Sequence, residues 1–248
     1  MDDEFSERAF STRAVWSGTN HLEGSAVTPI FTTSTYQLND DRYRDWADGG
    51  QHSLIYSRWS SVNSEAVASK VASLEGAEDG ETLASGMAAI SSTLLSMLSK
   101  GDHMVTSADI YGGTYGLLTS DFPRFGIDVT MADIRDPSSF EAAINENTKV
   151  LYVETITNPV LKVCDLEAMA SIAKEYGLIS VVDNTFATPW ACQPISMGFD
   201  VVIHSGTKFL NGHSDLTAGI VVGRSDLIKG VFKTKTRLGG TADAFMCY

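Results

Sequence analysis

From Ser64 onward the chain alternates between two spacings of apolar residues. Near 64–75, 87–99, 137–145 and 165–176 apolar positions recur every three to four residues, which predicts helices with one buried face. Between and after them come short aliphatic, β-branched runs near 103–107, 127–131, 149–153, 178–183, 200–204 and 219–223. Runs such as Leu178-Ile179-Ser180-Val181-Val182 and Val201-Val202-Ile203 read as strands covered on both faces. Strands separated by helices predict an α/β fold, a mostly parallel sheet with helices on both faces. Residues 1–55 follow neither spacing; polar and punctuated by glycine, they predict an irregular arm, leaving 56–248 as one large domain.

Composition narrows the function classes. With 43% hydrophobic and 20% charged residues over 248 positions, the chain matches ordinary globular usage and is long enough to bury an ample core. The net charge of −13 argues against nucleic acid and anionic membrane as partners, because both demand basic patches. Cys164, Cys192 and Cys247 form no C-x-x-C pair and are odd in number, and the histidines lack metal-ligand spacing, so neither a disulfide framework nor a metal site is expected. The opening MDDEFSERAF has no basic-then-apolar leader, and no apolar run reaches the roughly 20 residues that span a bilayer. A reducing, cytoplasmic setting is the expectation.

The candidate chemistry gathers at predicted strand ends, where ligands collect in open α/β sheets. Lys208 follows the run Val201-Val202-Ile203 within DVVIHSGTKFLNGHS, with hydroxyls at Ser205 and Thr207. Gly206 and Gly212 permit close backbone approach or a sharp turn there. A lysine in that position can form a Schiff base with a phosphorylated aldehyde, and pyridoxal phosphate (PLP) is the common biological one. A surface lysine after a strand is the plain alternative. Asp183 ends the strand 178–183 and suits a protonated pyridine nitrogen; it equally suits an Asx-turn in Asp-Asn-Thr. Ser85-Gly86-Met87 opens the helix near 87–99, so it is either an anion site on free N–H groups or an ordinary Ser cap. Tyr111, in DIYGGTYG after the strand 103–107, could stack on a ring or simply cover a glycine turn.

Taken together these motifs resemble the Cys/Met-metabolism (trans-sulfuration) family of PLP-dependent enzymes. The likeness runs through TPIFTTSTY (28–36), YSR (56–58), LEGAE (74–78), SGMAAI (85–90), YGGTY (111–115), ETITNP (154–159), VDNTFATP (182–189) and SGTKFLNGHSD (205–215). It implies the large domain of the type I PLP fold, with Lys208 holding the cofactor and later shuttling protons, Asp183 on the pyridine nitrogen and Tyr111 stacked on the ring as a possible acid or base. It further implies a phosphate cup from Ser85, Gly86, Met87, Ser205 and Thr207, with Asn158 near the phenolic oxygen. Tyr56 and Arg58 would reach the phosphate from a neighbouring subunit, making a homodimer the smallest complete site and a homotetramer the usual assembly, with the arm 1–55 packed on a partner.

Two departures stand out. Where the family usually reads Asn-Pro-Thr after Tyr-Ser-Arg, this chain has Trp59-Ser60-Ser61-Val62-Asn63-Ser64, which removes a proline-fixed φ before the next helix. Family members also continue past the segment LGGTADAFMCY into a small C-terminal domain that supplies the arginine for the substrate α-carboxylate, and this chain stops at Tyr248. The expectation is a fragment or a truncation with its cofactor half present and its substrate half largely missing. Ser-Gly-Met and Tyr-Ser-Arg resemble the cystathionine enzymes and methionine γ-lyase more than the homoserine sulfhydrylases, and Gly113 stands where methionine γ-lyases carry cysteine. The implied activity is therefore γ-elimination or γ-replacement on sulfur amino acids or activated homoserine, of the cystathionine γ-synthase or γ-lyase type. A truncated, non-catalytic PLP-binding or oligomerisation module is the alternative. A nucleotide-binding oxidoreductase is disfavoured, as no G-x-G-x-x-G follows a first strand.

Overall fold

The computed structural model describes residues 5 and 7–248, and its centre is a seven-stranded sheet in the order β1-β7-β6-β5-β4-β2-β3. The strands are β1 (Asp79–Leu83), β2 (His103–Ser107), β3 (Asp128–Ala132), β4 (Thr148–Glu154), β5 (Ile179–Asp183), β6 (Val201–Ser205) and β7 (Gly219–Gly223). Only β7 runs against its neighbours, pairing antiparallel with both β1 and β6, so the other six strands end at the same edge. That edge is where the sequence places its chemistry.

The helices are α1 (Phe10–Trp16), α2 (Asp40–Ala47), α3 (Val62–Glu75), α4 (Gly86–Met97), α5 (Gly112–Gly116), α6 (Phe122–Phe125), α7 (Pro137–Ala143), α8 (Leu166–Glu175), α9 (Thr188–Ala191) and α10 (Ser225–Leu238). Alternation along a strand sends side chains to opposite faces. On β6, Val202 joins a core with Val71 of α3, Phe140 of α7 and Met169 of α8, whereas Val201 and Ile203 join a second core with Leu94 of α4 and Val231 of α10. Helices therefore cover both faces of a mostly parallel sheet, as the spacing predicts.

The structure adds elements that periodicity does not mark. Strand β1 reads Asp-Gly-Glu-Thr-Leu, polar in sequence yet buried at its last four positions. Glu81 is kept there by Lys235 of α10, itself 2% exposed, whose Nζ lies 2.7 Å from Glu81 Oε2 and also donates to the Trp59 carbonyl at 2.8 Å. Burial outweighs that lysine and pushes the Glu81 carboxyl up to about 7. The segment read as an irregular arm contains α1 and α2, neither with a buried residue. Lacking an apolar stripe, α2 instead depends on its ends: the Asn39 side chain accepts from Arg42 N–H, and Asp40 and Asp41 sit in the first turn. Helix α1 rests on α3 of the same chain, with the Arg13 guanidinium donating to the Ser73 carbonyl and Lys70 Nζ to that of Val15 at 2.9 Å.

The missing Asn-Pro-Thr is replaced by another device. Ser61 caps α3 by accepting from Ser64 N–H, and the Ser64 hydroxyl accepts from Ser61 N–H, a reciprocal capping box that starts the helix without proline. Just upstream, His52 bridges Glu65 (2.5 Å) and Asp79 (3.3 Å). Burial opposes the imidazolium, but hydrogen bonds and charges from those two carboxylates outweigh it and raise its pKa to about 10. The stretch carrying Tyr56 and Arg58 is thereby fastened to α3 and β1. No described helix is long and apolar enough to cross a membrane.

Candidate cofactor site

Strand β6 ends at Ser205, and the chain turns at once. Gly206 leaves no room for a side chain, since a Cβ there would lie 2.6 Å from Ile220 Cδ1, and Gly212 closes the turn at φ +73°. Lys208 projects from this turn, its N–H donating to the Ser205 carbonyl at 3.2 Å. Asp183 ends β5 beside it, with Asp183 and Ile203 paired in register. The Asx-turn reading of Asp183 is also fulfilled: Oδ1 accepts from Thr185 N–H at 3.0 Å, and Thr185 Oγ1 in turn accepts from Ser205 N–H at 2.8 Å. Thr185, which the sequence reading passes over, therefore stitches the ends of β5 and β6 together. Burial, only partly offset by Thr185, raises the Asp183 pKa above the usual carboxylate value. Among the described residues no lysine or arginine forms an ion pair with Asp183.

Opposite lies the start of α4. Ser85 is an N-cap, its Oγ accepting from Ala88 N–H at 3.1 Å, which leaves the N–H groups of Gly86 and Met87 at the helix mouth without intrahelical partners. Ser capping and an anion-binding mouth thus coexist. A Cβ on Gly86 would stand 2.8 Å from Ser205 Cβ, so only glycine lets α4 approach β6 this closely. Thr207 is already engaged, donating to the Ala218 carbonyl at 3.3 Å and accepting from Ala218 N–H at 3.0 Å.

These groups wall one cavity of about 290 Å³ at the carboxyl edge of the sheet, lined by Ser85, Gly86, Met87, Tyr111, Asn158, Asp183, Ser205, Thr207 and Lys208, together with Glu154 and Thr185. Tyr111 caps the short helix α5 and packs over Gly113, where a Cβ would come 2.5 Å from the Tyr111 ring and 2.9 Å from Met87 Sδ. Tyr56 and Arg58 do not join this wall. The Arg58 guanidinium donates to the Thr236 carbonyl at 2.8 Å and stacks over the Tyr56 and Trp59 rings. A larger cleft, about 1170 Å³, is lined by Arg13 and Trp16 of α1, Glu65 and Ser73 of α3 and Asp79 at the start of β1, and includes neither Lys208 nor Asp183.

The donors fit a phosphorylated pyridine aldehyde. There is an amine for the aldehyde, a half-buried acid without a lysine or arginine partner for the ring nitrogen, and a glycine-lined helix mouth for the phosphate. Among the described residues no group of histidine, cysteine or acidic side chains is placed to hold a metal.

Comparison with known proteins agrees with this geometry. A family profile described as Cys/Met metabolism PLP-dependent enzyme matches residues 11–248. The L-methionine gamma-lyase of Porphyromonas gingivalis is 41% identical over 233 residues, covering 92% of this chain and 58% of the relative. The cystathionine gamma-lyase of Bacillus subtilis is 43% identical over 200 residues, covering 80% of this chain and 50% of the relative. A crystal structure of cystathionine gamma-lyase from Lactobacillus plantarum complexed with L-serine superposes with a TM-score of 0.89 at 34% identity, covering 96% of this chain and 61% of that one. The chain thus spans only 50–58% of the length of these two curated relatives.

Proposed function

This chain belongs to the Cys/Met metabolism family of PLP-dependent enzymes, and on that premise we propose that it forms the cofactor-holding part of an enzyme acting on sulfur amino acids or activated homoserine by γ-elimination or γ-replacement. The observation that carries this reading is the single cavity in which Lys208, Asp183, Tyr111 and the mouth of α4 converge.

Bound pyridoxal phosphate supplies an aldehyde that condenses with amines and a ring that accepts an electron pair from the substrate α-carbon. Lys208 Nζ is the amine that holds the cofactor, and once the substrate amine displaces it, the same nitrogen removes the α-proton. Asp183 pairs with the protonated ring nitrogen, whose positive charge would offset the burial that raises its pKa. The N–H groups of Gly86 and Met87, with Ser85 and Ser205, hold the phosphate, while Thr207, tied to Ala218, shapes the cup. Asn158, which lines the cavity, would face the phenolic oxygen. Tyr111 would stack on the ring and serve as an acid or base. Tyr56 and Arg58, outside this chain's own cavity wall, reach the phosphate of a neighbouring subunit in a homodimer or homotetramer on which the arm 1–55 also packs. Gly113 favours the cystathionine type over methionine γ-lyase, because the Tyr111 ring fills the space a cysteine there would need. Unpaired Cys164, Cys192 and Cys247 suit a reducing, cytoplasmic setting.

The test is to add PLP to the chain, reduce with borohydride, map the modified peptide, and then assay cystathionine, O-succinylhomoserine and methionine. A pyridoxyl group on Lys208 with turnover of any of the three is the expected result. An adduct without turnover would leave a PLP-binding or oligomerisation module, and no adduct on a folded chain would overturn the reading. Gly86→Ala should weaken PLP binding about tenfold or more, roughly 1.4 kcal/mol, because the added methyl forces α4 away from Ser205. A spectroscopic PLP titration checks it; unchanged affinity would remove Gly86 from the phosphate cup.

A further inference from the structure

We propose that Glu154 is a positioning residue of this cavity, whose carboxylate ties the Tyr111 segment to the Asn158 segment and so fixes the stacking ring and the amide relative to the cofactor. The inference rests on the cofactor reading above and extends it to the first residue of ETITNP, which carried no assigned role.

Glu154 ends β4, lines the cavity and is 3% exposed. Its two oxygens are used on two different pieces of chain: Oε1 accepts from Tyr111 N–H at 2.7 Å and Oε2 from Asn158 N–H at 3.0 Å. Backbone donors on a carboxylate are charge-assisted and geometrically strict, so this one side chain sets the spacing of both segments. A second brace joins the same segments further out, where Lys162 Nζ lies 2.5 Å from Asp109 Oδ2. Those side chains are 27% and 29% exposed, so water and salt screen that pair while leaving the inner tie largely untouched.

The tie depends on charge. Two oxygens accept two N–H bonds most strongly while the carboxyl is ionised; a proton on either oxygen makes that oxygen a donor and a poorer acceptor, which weakens one of the bonds. The groups facing Glu154 act in both directions. Asp183 lies opposite it in register on β5 and opposes ionisation, buried Tyr152 precedes it on β4, and Lys208, a basic group across the cavity on the turn after β6, would favour it. Burial first, and then Asp183, push the Glu154 carboxyl up to about 7 against the pull of the two N–H donors. The tie is therefore strongest with Glu154 ionised and weakens as the pH falls through the neutral range. Asp183 shares the effect in reverse, because a cation on the ring nitrogen beside it would lessen its repulsion of Glu154 and extend the tie to lower pH.

Hydrogen exchange at the Tyr111 and Asn158 amides, followed by NMR on the 248-residue chain and corrected for the intrinsic pH dependence of exchange, reads the tie without reference to turnover. Protection at these two amides should be about tenfold or more higher at pH 8.5 than at pH 6. In Glu154→Gln, which offers one acceptor in place of two, protection should be low and flat across that range, while Lys208 still takes up PLP and is trapped by borohydride. Flat protection in the unsubstituted chain, or a Glu154→Gln chain that keeps the pH-dependent step, overturns the proposal. Should Glu154→Gln lose its far-UV circular dichroism, the pH series on the unsubstituted chain decides alone. Failure of Lys208 to trap PLP would instead strike the cofactor reading, and the exchange data would still decide whether Glu154 ties the two segments.

Discussion

Replacing Lys208 by alanine should abolish the borohydride-trapped pyridoxyl adduct and lower turnover by about 10⁴-fold or more, some 5.5 kcal/mol at 1.36 kcal/mol per decade. The expected size follows from the two tasks proposed for one nitrogen, holding the cofactor and removing the α-proton. Among the residues lining the cavity Lys208 is the only lysine, so no neighbour substitutes for it. PLP affinity should fall less than turnover, because the helix mouth at Gly86 and Met87 and the acid Asp183 remain. A small primary amine added to Lys208→Ala should restore part of the proton transfer. A Lys208→Ala chain that still gives a reducible adduct, or keeps more than a hundredth of its turnover, would assign the chemistry to another residue.

The second large effect concerns the scaffold behind that cavity. His204 precedes Ser205 on β6 and Asn184 follows Asp183, yet both point to the opposite side of the sheet edge. There His204 Nε2 lies 2.7 Å from Glu75 Oε1, both side chains 0% exposed. Asn184 Nδ2 donates to the same Glu75 oxygen and to the Cys192 carbonyl, each at 2.9 Å, while Asn184 Oδ1 accepts from Thr155 Oγ1 at 2.8 Å. The last residue of α3 thereby locks the ends of β4, β5 and β6. His204→Leu should destabilise the chain by about 1–3 kcal/mol, since it removes a hydrogen-bond partner from a fully buried Glu75 oxygen. The double substitution Glu75→Leu with His204→Leu should cost less than the sum of the two single substitutions, because neither side chain is then left buried without its partner. Urea unfolding of the cofactor-free chain at pH 7 measures all three. A single variant within about 1 kcal/mol of the parent, or a double variant worse than the sum of the singles, would mean that the pair contributes packing rather than hydrogen bonding.

Legibility in the sequence tracks how local each signal is. Strands β2 and β7 and the helices α4 and α8 lie where apolar spacing predicts them, since burial on one or both faces leaves a periodic trace. Strand β1 leaves none, because its buried Glu81 is tolerated only through Lys235, more than a hundred and fifty residues away along the chain. Helix α10 likewise buries Ile228 and Val231 on a core assembled by other elements. The helices of the arm are held by an Asn39 cap and by backbone carbonyls meeting Arg13 and Lys70, none of which apolar spacing reports.

For the cavity, the sequence by itself picked out the residues to which the proposed chemistry is assigned. Lys208, Asp183, Tyr111 and Ser85-Gly86-Met87 each sit at the end of a recognisable element, and strand ends in a mostly parallel sheet face one edge. Tertiary structure alone decided that they share one cavity, that Thr185 stitches β5 to β6, that Thr207 is committed to Ala218, and that Tyr56 and Arg58 stand outside this chain's own wall. It also turned Glu154 from the last residue of a strand into a brace between two loops. The physical reason is that a motif reports what one residue can do, whereas a hydrogen bond or a buried charge depends on what the fold carries to within about 3 Å of it, and that partner is set by the packing of the whole sheet.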